Sequence, residues 1–248
     1  MFKNWPQQLI IGHRGASAYA PENTLASFDL AVQSQADAIE FDVKLTADKQ
    51  VVVIHDSSVD RTTNGSGKVS EMKLSKLQEL DAGSKFGIKF AGEKVPTLEA
   101  VFERFGKRIL MNVELTNYST PFDELVEKVV DLVIKHKVED HVIFSSFLAK
   151  NLKQARNMSP MIPCGLLAYS GLLGFFPRQY GWKKKFQALH PYITDVDQEL
   201  VQKVHDKGKR IHVWTVNGED NIRKMLELNV DGIFTDDPGM ARLLVEKG

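Results

Sequence analysis

Short apolar runs of β type alternate with stretches of helical period along the whole chain. Eight runs read as strands: Leu9–Gly12, Ala38–Lys44, Arg108–Glu114, His141–Ser145, Pro163–Leu167, Phe186–His190, Arg210–Trp214 and Gly232–Thr235. Between them apolar residues recur at helical spacing. From Pro121 to His136, the residues Phe122, Leu125, Val126, Val129 and Val133 fall on one face. Leu200, Val201 and Val204 do the same between Asp197 and Lys207, and Gly208 then stands where a C-terminal cap belongs. Ile222, Met225 and Leu226 form the stripe between Gly218 and Asn229. Helix starts are marked by Pro21-Glu22, with proline at a first helical position and an acid in the first turn, and by Asp237-Pro238. Thr97, after Pro96, predicts an N-cap.

Eight βα units in 248 residues match the size of a (β/α)8 TIM barrel, an α/β fold. A doubly wound open sheet is the competitor. The barrel is favoured because chemistry-bearing residues end several different strands, as barrel sites require. No linker-like break in composition splits the chain, so 1–248 reads as a single domain. Residues 56–96 interrupt the repeat. With the short strand Val51–Ile54, a Gly/Ser-rich turn at Asn64–Gly67 and a helical run near Lys73–Leu80, they read as a small insertion after the second strand.

Composition narrows the class. With 43% hydrophobic and 26% charged residues the chain reads as an ordinary globular protein. Lys and Arg number 32, as do Asp and Glu, which gives no basic field for nucleic acid. The single cysteine, Cys164, cannot form an internal disulfide and reads as a small buried hydrophobe, with a reactive thiol as the alternative. Met1–Pro6 lacks a basic region followed by an apolar core, and no apolar run reaches the length of a membrane span. The expected location is therefore cytoplasmic, with no transmembrane segment.

The chemistry gathers in the first half. His13 and Arg14 follow the first strand, Glu40 and Asp42 lie on the second, His55 follows its extension and Glu114 closes the third. Glu40 and Asp42 are two apart, so both point to one side of their strand. Ala38, Ile39, Phe41 and Val43 leave little room for a solvated strand, and a buried charge is costly unless paired or metal-bound. Three carboxylates suit one hard divalent cation, Ca²⁺ or Mg²⁺, better than zinc, which favours histidine and cysteine. Arginine grips phosphate through a fixed fork of donors. A histidine pair can take a proton from a nucleophile and give one to a leaving oxygen, and sequence does not say which does which. Of the other five histidines, His136 and His205 stand near predicted helix ends, where they suit the dipole, and His141 starts a strand. His190 ends a strand and His212 lies within one, with nothing to support a site role.

These residues resemble the glycerophosphodiester phosphodiesterase family. The stretches that carry the resemblance, beyond the His-Arg-Gly at 13–15, include Ala20-Pro21-Glu22-Asn23-Thr24, Glu40-Phe41-Asp42-Val43, His55-Asp56, Asp60-Arg61-Thr62-Thr63-Asn64-Gly65, Pro96-Thr97-Leu98, Asn112-Val113-Glu114-Leu115, Trp214-Thr215-Val216-Asn217 and Gly232-Ile233-Phe234-Thr235-Asp236. They keep the family's order over nearly the whole chain. The resemblance implies a TIM barrel, a divalent cation held by Glu40, Asp42 and Glu114, His13 and His55 as the acid/base pair, and Arg14 on the phosphate. It implies hydrolysis of deacylated phospholipids such as glycerophosphocholine to sn-glycerol 3-phosphate and an alcohol. It also sets Trp214 near the alcohol or glycerol, with packing in the barrel as the equal alternative. Asp236 or Asp237 reads as a helix cap rather than a ligand. One departure stands out: the family commonly has lysine two residues after the third acid, and this chain has Thr116.

Residues 166–186, after the fifth strand, are rich in large apolar side chains: Tyr169, Leu172, Leu173, Phe175, Phe176, Tyr180 and Trp182. Arg178 and Lys183–Lys185 flank them. The plain reading is an outer helix packed on the barrel. The sharper one is a greasy rim in transient contact with lipid, which would move the substrate toward lysophospholipids. The competing functions are therefore a glycerophosphodiester hydrolase, a lysophospholipase D and a catalytically silent binding barrel. Balanced charge and exposed aromatics are compatible with a homodimer.

Overall fold

A computed structural model describes residues 5–182 and 186–247. Met1–Asn4 of the N-terminal stretch and the lysine run Lys183–Lys185 lie outside the described residues. The strands are β1 (Leu9–Gly12), β2 (Ala38–Leu45), β3 (Val51–Val53), β4 (Leu110–Leu115), β5 (Val142–Ser146), β6 (Cys164–Ala168), β7 (Ala188–Pro191), β8 (Arg210–Val213) and β9 (Gly232–Thr235). They form one sheet in the order β1-β9-β8-β7-β6-β5-β4-β2-β3, and β1 also pairs with β2, so the sheet closes on itself. Only β3 runs antiparallel, against the end of β2; the other eight are the parallel staves of a (β/α)8 barrel. Helices α1 (Leu25–Gln33), α2 (Leu74–Leu77), α3 (Leu98–Phe105), α4 (Leu125–His136), α5 (Ala149–Met158), α6 (Gly171–Phe176), α7 (Gln198–His205), α8 (Glu219–Glu227) and α9 (Pro238–Lys247) cover the outside, except α2, which belongs to the insertion. No helix among the described residues is long and apolar enough to cross a membrane.

Side-chain alternation sorts the core into layers. Ile39, Phe41 and Val43 of β2 and Met111, Val113 and Leu115 of β4 pack outward against the helices. Leu9, Ile11, Ala38, Ile143, Ala188 and Phe234 fill the lower barrel interior. Val52, Ile54, Val59, Val69 and Leu77 give the insertion a small core of its own. Each such fully buried Val or Leu contributes about 1.5–3 kcal/mol of transfer free energy, which is why the strand cores tolerate few polar positions. Cys164 is fully buried in the outer layer, and burial pushes its thiol up to about 12, as suits a small hydrophobe.

Two helix starts differ from the sequence pattern. α1 begins at Leu25 rather than at Pro21, because Thr24 and Ser27 form a capping box. α4 begins at Leu125, and Phe122 lies before it, 93% exposed, so it is not part of the buried face. Thr97 does cap α3, accepting from Ala100 N at 3.1 Å, and Asp237 Oδ1 accepts from Met240 N at 2.9 Å at the start of α9. Gly208 follows α7 with φ +61°, a conformation that favours glycine.

Candidate active site

The inward positions of β2 and β4 change from apolar to acidic toward their C-terminal ends. Asp42 is the direct cross-strand partner of Glu114, and Glu40 stands opposite Asn112. One carboxylate oxygen from each of Glu40, Asp42 and Glu114 lies within 4.8 Å of the others, and this is the metal-competent cluster among the described residues. Glu40 and Asp42 are 2% and 1% exposed. Burial, then the charges of Asp42 and Glu114, push Glu40 well above the usual carboxylate range. Burial and Asp42 push Glu114 the same way. Three acids held this close in a dry site favour a cation among them. The oxygen-only donor set fits a hard divalent ion.

Neighbours fix these carboxylates. Asn23 Nδ2 donates to Asp42 Oδ2 at 2.9 Å, and Tyr118 Oη donates to Glu114 Oε1 at 2.7 Å. The Arg14 backbone N–H donates to Glu40 Oε2 at 2.9 Å. Arg14 reaches this position because the chain turns sharply after β1: Arg14 and Gly15 both have positive φ, and a Cβ on Gly15 would meet Ser27 Oγ of α1 at 2.4 Å. Its guanidinium lies between Asp42 Oδ2, 3.4 Å from Nε, and Glu22 Oε1, 2.9 Å from Nη1. Glu22 also binds Arg61 of the insertion, accepting from Nη1 at 2.6 Å and Nη2 at 2.8 Å. Burial opposes ionisation of Glu22, but its bonds to Arg61 and Arg14 outweigh it and hold the carboxyl low. Arg61 Nε donates to Asp56 Oδ2 at 2.7 Å, and Asp56 Oδ1 lies 2.7 Å from His55 Nδ1. A continuous line of charge thus ties Arg14 to His55.

His13 follows β1, and its Nδ1 lies 2.7 Å from Asp236 Oδ1, just after β9. Burial favours the neutral form of Asp236, but hydrogen bonds from His13, Asn217 and Ser17 outweigh it and hold the carboxyl down to about 2. His13 and His55 are therefore both oriented through Nδ1 by an acid. Both line one cavity of about 350 Å³, together with Arg14, Glu40 and Glu114. Its other wall is aromatic. Tyr169 stacks on Phe147 with centroids 3.9 Å apart, and Trp214 meets Phe147 edge-on at 5.5 Å. Trp214 lines the cavity and is also packed: its Nε1 donates to His190 O at 2.9 Å, and its ring meets Tyr192.

Residues 13–240 match the glycerophosphoryl diester phosphodiesterase family. The chain belongs to that family. It is 42% identical over 241 residues to the glycerophosphodiester phosphodiesterase of Caldanaerobacter subterraneus subsp. tengcongensis, covering 97% of this chain and 98% of that protein. Among solved structures it resembles an Oleispira antarctica phosphodiesterase in complex with the product sn-glycerol-3-phosphate: TM-score 0.87, 29% identity, 97% of each chain covered. It also resembles the glycerophosphodiester phosphodiesterase of Agrobacterium tumefaciens: TM-score 0.81, 28% identity, 95% of this chain and 99% of that one.

In this family member, the structure brings all seven residues singled out from sequence to one cavity or its immediate wall: His13, Arg14, Glu40, His55, Glu114 and Trp214 line it, and Asp42 completes the acid cluster behind. Of the two acids read as a helix cap, Asp237 is the cap and Asp236 instead meets His13; the sequence reading missed that partner and missed Glu22. It also missed the aromatic wall of Phe147 and Tyr118, whose only signal was their place after strand ends. His190 and His212 lie fully buried inside the barrel, outside this cavity. Thr116, where lysine was expected, donates through Oγ1 to Val43 O at 2.8 Å and accepts from Lys44 Nζ at 3.1 Å. A cation thus stands beside this position, supplied by β2.

The aromatic segment after β6 is mostly not packed on the barrel. Trp182 is fully buried, but Leu172, Leu173 and Phe176 are 92%, 82% and 67% exposed. The short α6 and the π-helical turn Pro177–Gly181 turn their apolar side outward.

Proposed function

We propose that this chain, taken as one catalytic domain, is a metal-dependent glycerophosphodiester phosphodiesterase. It would hydrolyse deacylated phospholipids to sn-glycerol 3-phosphate and an alcohol. The observation that carries the reading is the shared cavity: two histidines, each oriented through Nδ1 by a carboxylate, face three clustered acids and an arginine. The family membership and the product bound in the Oleispira antarctica phosphodiesterase agree with it.

Glu40, Asp42 and Glu114 would hold one Ca²⁺ or Mg²⁺. When bound, that ion supplies positive charge to a phosphoryl oxygen and a neighbouring glycerol hydroxyl. Arg14, anchored by Glu22, Asp42 and its own backbone, offers guanidinium charge to the phosphate. With Nδ1 engaged by Asp236 or Asp56, each histidine presents Nε2 as the working nitrogen. One takes the proton of the attacking oxygen as the new P–O bond forms. The other gives a proton to the alcohol oxygen as the old P–O bond breaks. Trp214 and Phe147 wall the glycerol side and exclude water.

Incubation with glycerophosphocholine should release sn-glycerol 3-phosphate with added Mg²⁺ or Ca²⁺ and not with a chelator. Release of choline phosphate and glycerol instead would refute the bond assignment. No turnover of any glycerophosphodiester would leave the silent barrel.

A second reading rests on the exposed row Leu172, Leu173, Phe175 and Phe176, which follows the aromatic cavity wall at Tyr169. In this reading the row receives an acyl chain and the substrate is a lysophospholipid. Phe175→Ser with Phe176→Ser should then cut lysophospholipid cleavage far more than glycerophosphocholine cleavage; equal losses would refute it.

A further inference from the structure

Lys44, Ser57 and Thr116 each stand two residues beyond a member of the candidate active site, namely Asp42, His55 and Glu114. On a strand two residues restore the same facing, about 6–7 Å further along. Lys44 on β2 and Thr116 just past the end of β4 thus form a step outward from the carboxylates, and Ser57 follows His55 in the irregular stretch after β3. They border a second cavity of about 270 Å³, whose remaining walls include Ser70 of the insertion and Ser119 and Asp123 of the β4–α4 loop. Lys44 Nζ is held there by Thr116, donating to its carbonyl at 2.7 Å and to its hydroxyl at 3.1 Å. None of the described residues lining this cavity is aromatic, whereas Tyr118, Phe147, Tyr169 and Trp214 line the first.

A phosphodiester has two arms. In the phosphodiesterase reading, the cavity that contains both histidines and the carboxylates would take the phosphate and the glycerol. The variable alcohol would then extend past His55 and Glu114 toward the second cavity, whose lining residues Ser57 and Thr116 follow them in the chain. That space offers hydroxyls, the Lys44 ammonium, the Asp123 carboxylate and, at its edge, the exposed Lys68–Glu71 ion pair, whose charges offset each other. An alcohol with several hydroxyls matches this lining, since each O–H can donate to Asp123 or a serine and accept from Lys44. A quaternary ammonium has no hydrogen to donate and would face the charge of Lys44. Resting on the phosphodiesterase reading, we infer that this second cavity is the head-group subsite, that it selects polyhydroxylated alcohols, and that Lys44 is its selecting cation.

The test compares kcat/KM for glycerophosphoglycerol and glycerophosphocholine in the wild type, Lys44→Met and Ser119→Leu. The wild type should prefer glycerophosphoglycerol. Lys44→Met should shrink that preference about tenfold, the scale of one lost charge-assisted hydrogen bond. Ser119 is exposed, so Ser119→Leu narrows the cavity without disturbing the core and should shrink the preference in the same direction even where Lys44→Met fails to fold. A ratio unchanged in Ser119→Leu, or equal losses on both substrates in Lys44→Met, would overturn the inference. Turnover of neither substrate by the wild type would overturn the hydrolase reading and this inference with it.

Discussion

The barrel holds two pairs of histidines in opposite surroundings. At the mouth, His13 and His55 are 21% and 42% exposed, and each places Nδ1 2.7 Å from a carboxylate. Inside, His190 and His212 are fully buried and hold each other, with His212 Nδ1 3.1 Å from His190 Nε2. Burial drives His190 down to about 3, and burial together with His190 and Arg210 drives His212 well below its usual value. The same side chain is thus a candidate proton carrier where an acid orients it at the open mouth, and a neutral filler where it is buried. The surrounding glycine fits this: a Cβ at Gly165 would meet His190 Nε2 at 2.3 Å, so the interior ring is wedged as a packing element.

The largest way to break the contrast is to discharge the mouth. Asp42→Ala removes one candidate ligand and one partner of Arg14, and should lower both divalent-cation affinity and kcat by about 100-fold or more, read by calorimetry and turnover. Next comes the orientation of His13. Asp236→Asn keeps the shape but removes the charge that holds Nδ1, and should cost about 10- to 100-fold in kcat with little change in KM. A wild-type rate in that variant would reduce Asp236 to a structural role.

The interior pair should show itself in stability instead. The folded-state values of His190 and His212 are depressed, so their contribution is present above the unfolded value near 6.5 and is lost as pH falls below it. For His190 the loss should be about 2 kcal/mol between pH 6.5 and pH 5, with His212 acting in the same direction, read as a falling urea midpoint. His190→Gln should flatten that slope. The smallest effect belongs to Phe122: with its ring 93% exposed, Phe122→Ser should change unfolding free energy by less than about 0.5 kcal/mol.

What could be read from the sequence was what repeats locally. Strand alternation put Glu40 and Asp42 on one side of β2, the strand end set Glu114 at the same rim, and helical spacing located α4, α7 and α8, because these signals live within a few residues. Helix starts were less legible: with Thr24 and Ser27 as its capping box, α1 starts at Leu25, four residues beyond Pro21, and Asp123 Oδ1 accepts from Leu125 N at 3.1 Å at the start of α4, leaving Phe122 outside. The partners of the catalytic candidates were not legible at all. Asp236 is 223 residues from His13, and Glu22 meets Arg61 across 39 residues, pairings that exist only once the barrel closes β1 against β9 and folds the insertion over its mouth. Lys44 was hidden for the same reason, since its relation to Thr116 is a cross-strand one over 72 residues.

The most direct measurement is the rate of sn-glycerol 3-phosphate release from glycerophosphocholine by His13→Asn and by His55→Asn, each beside the wild type at saturating divalent cation. Loss of about 10²- to 10⁴-fold in both, with the fold intact by circular dichroism, is the predicted result for a proton-transferring pair. A near-wild-type rate in either variant would contradict it and move the proton chemistry elsewhere in the cavity.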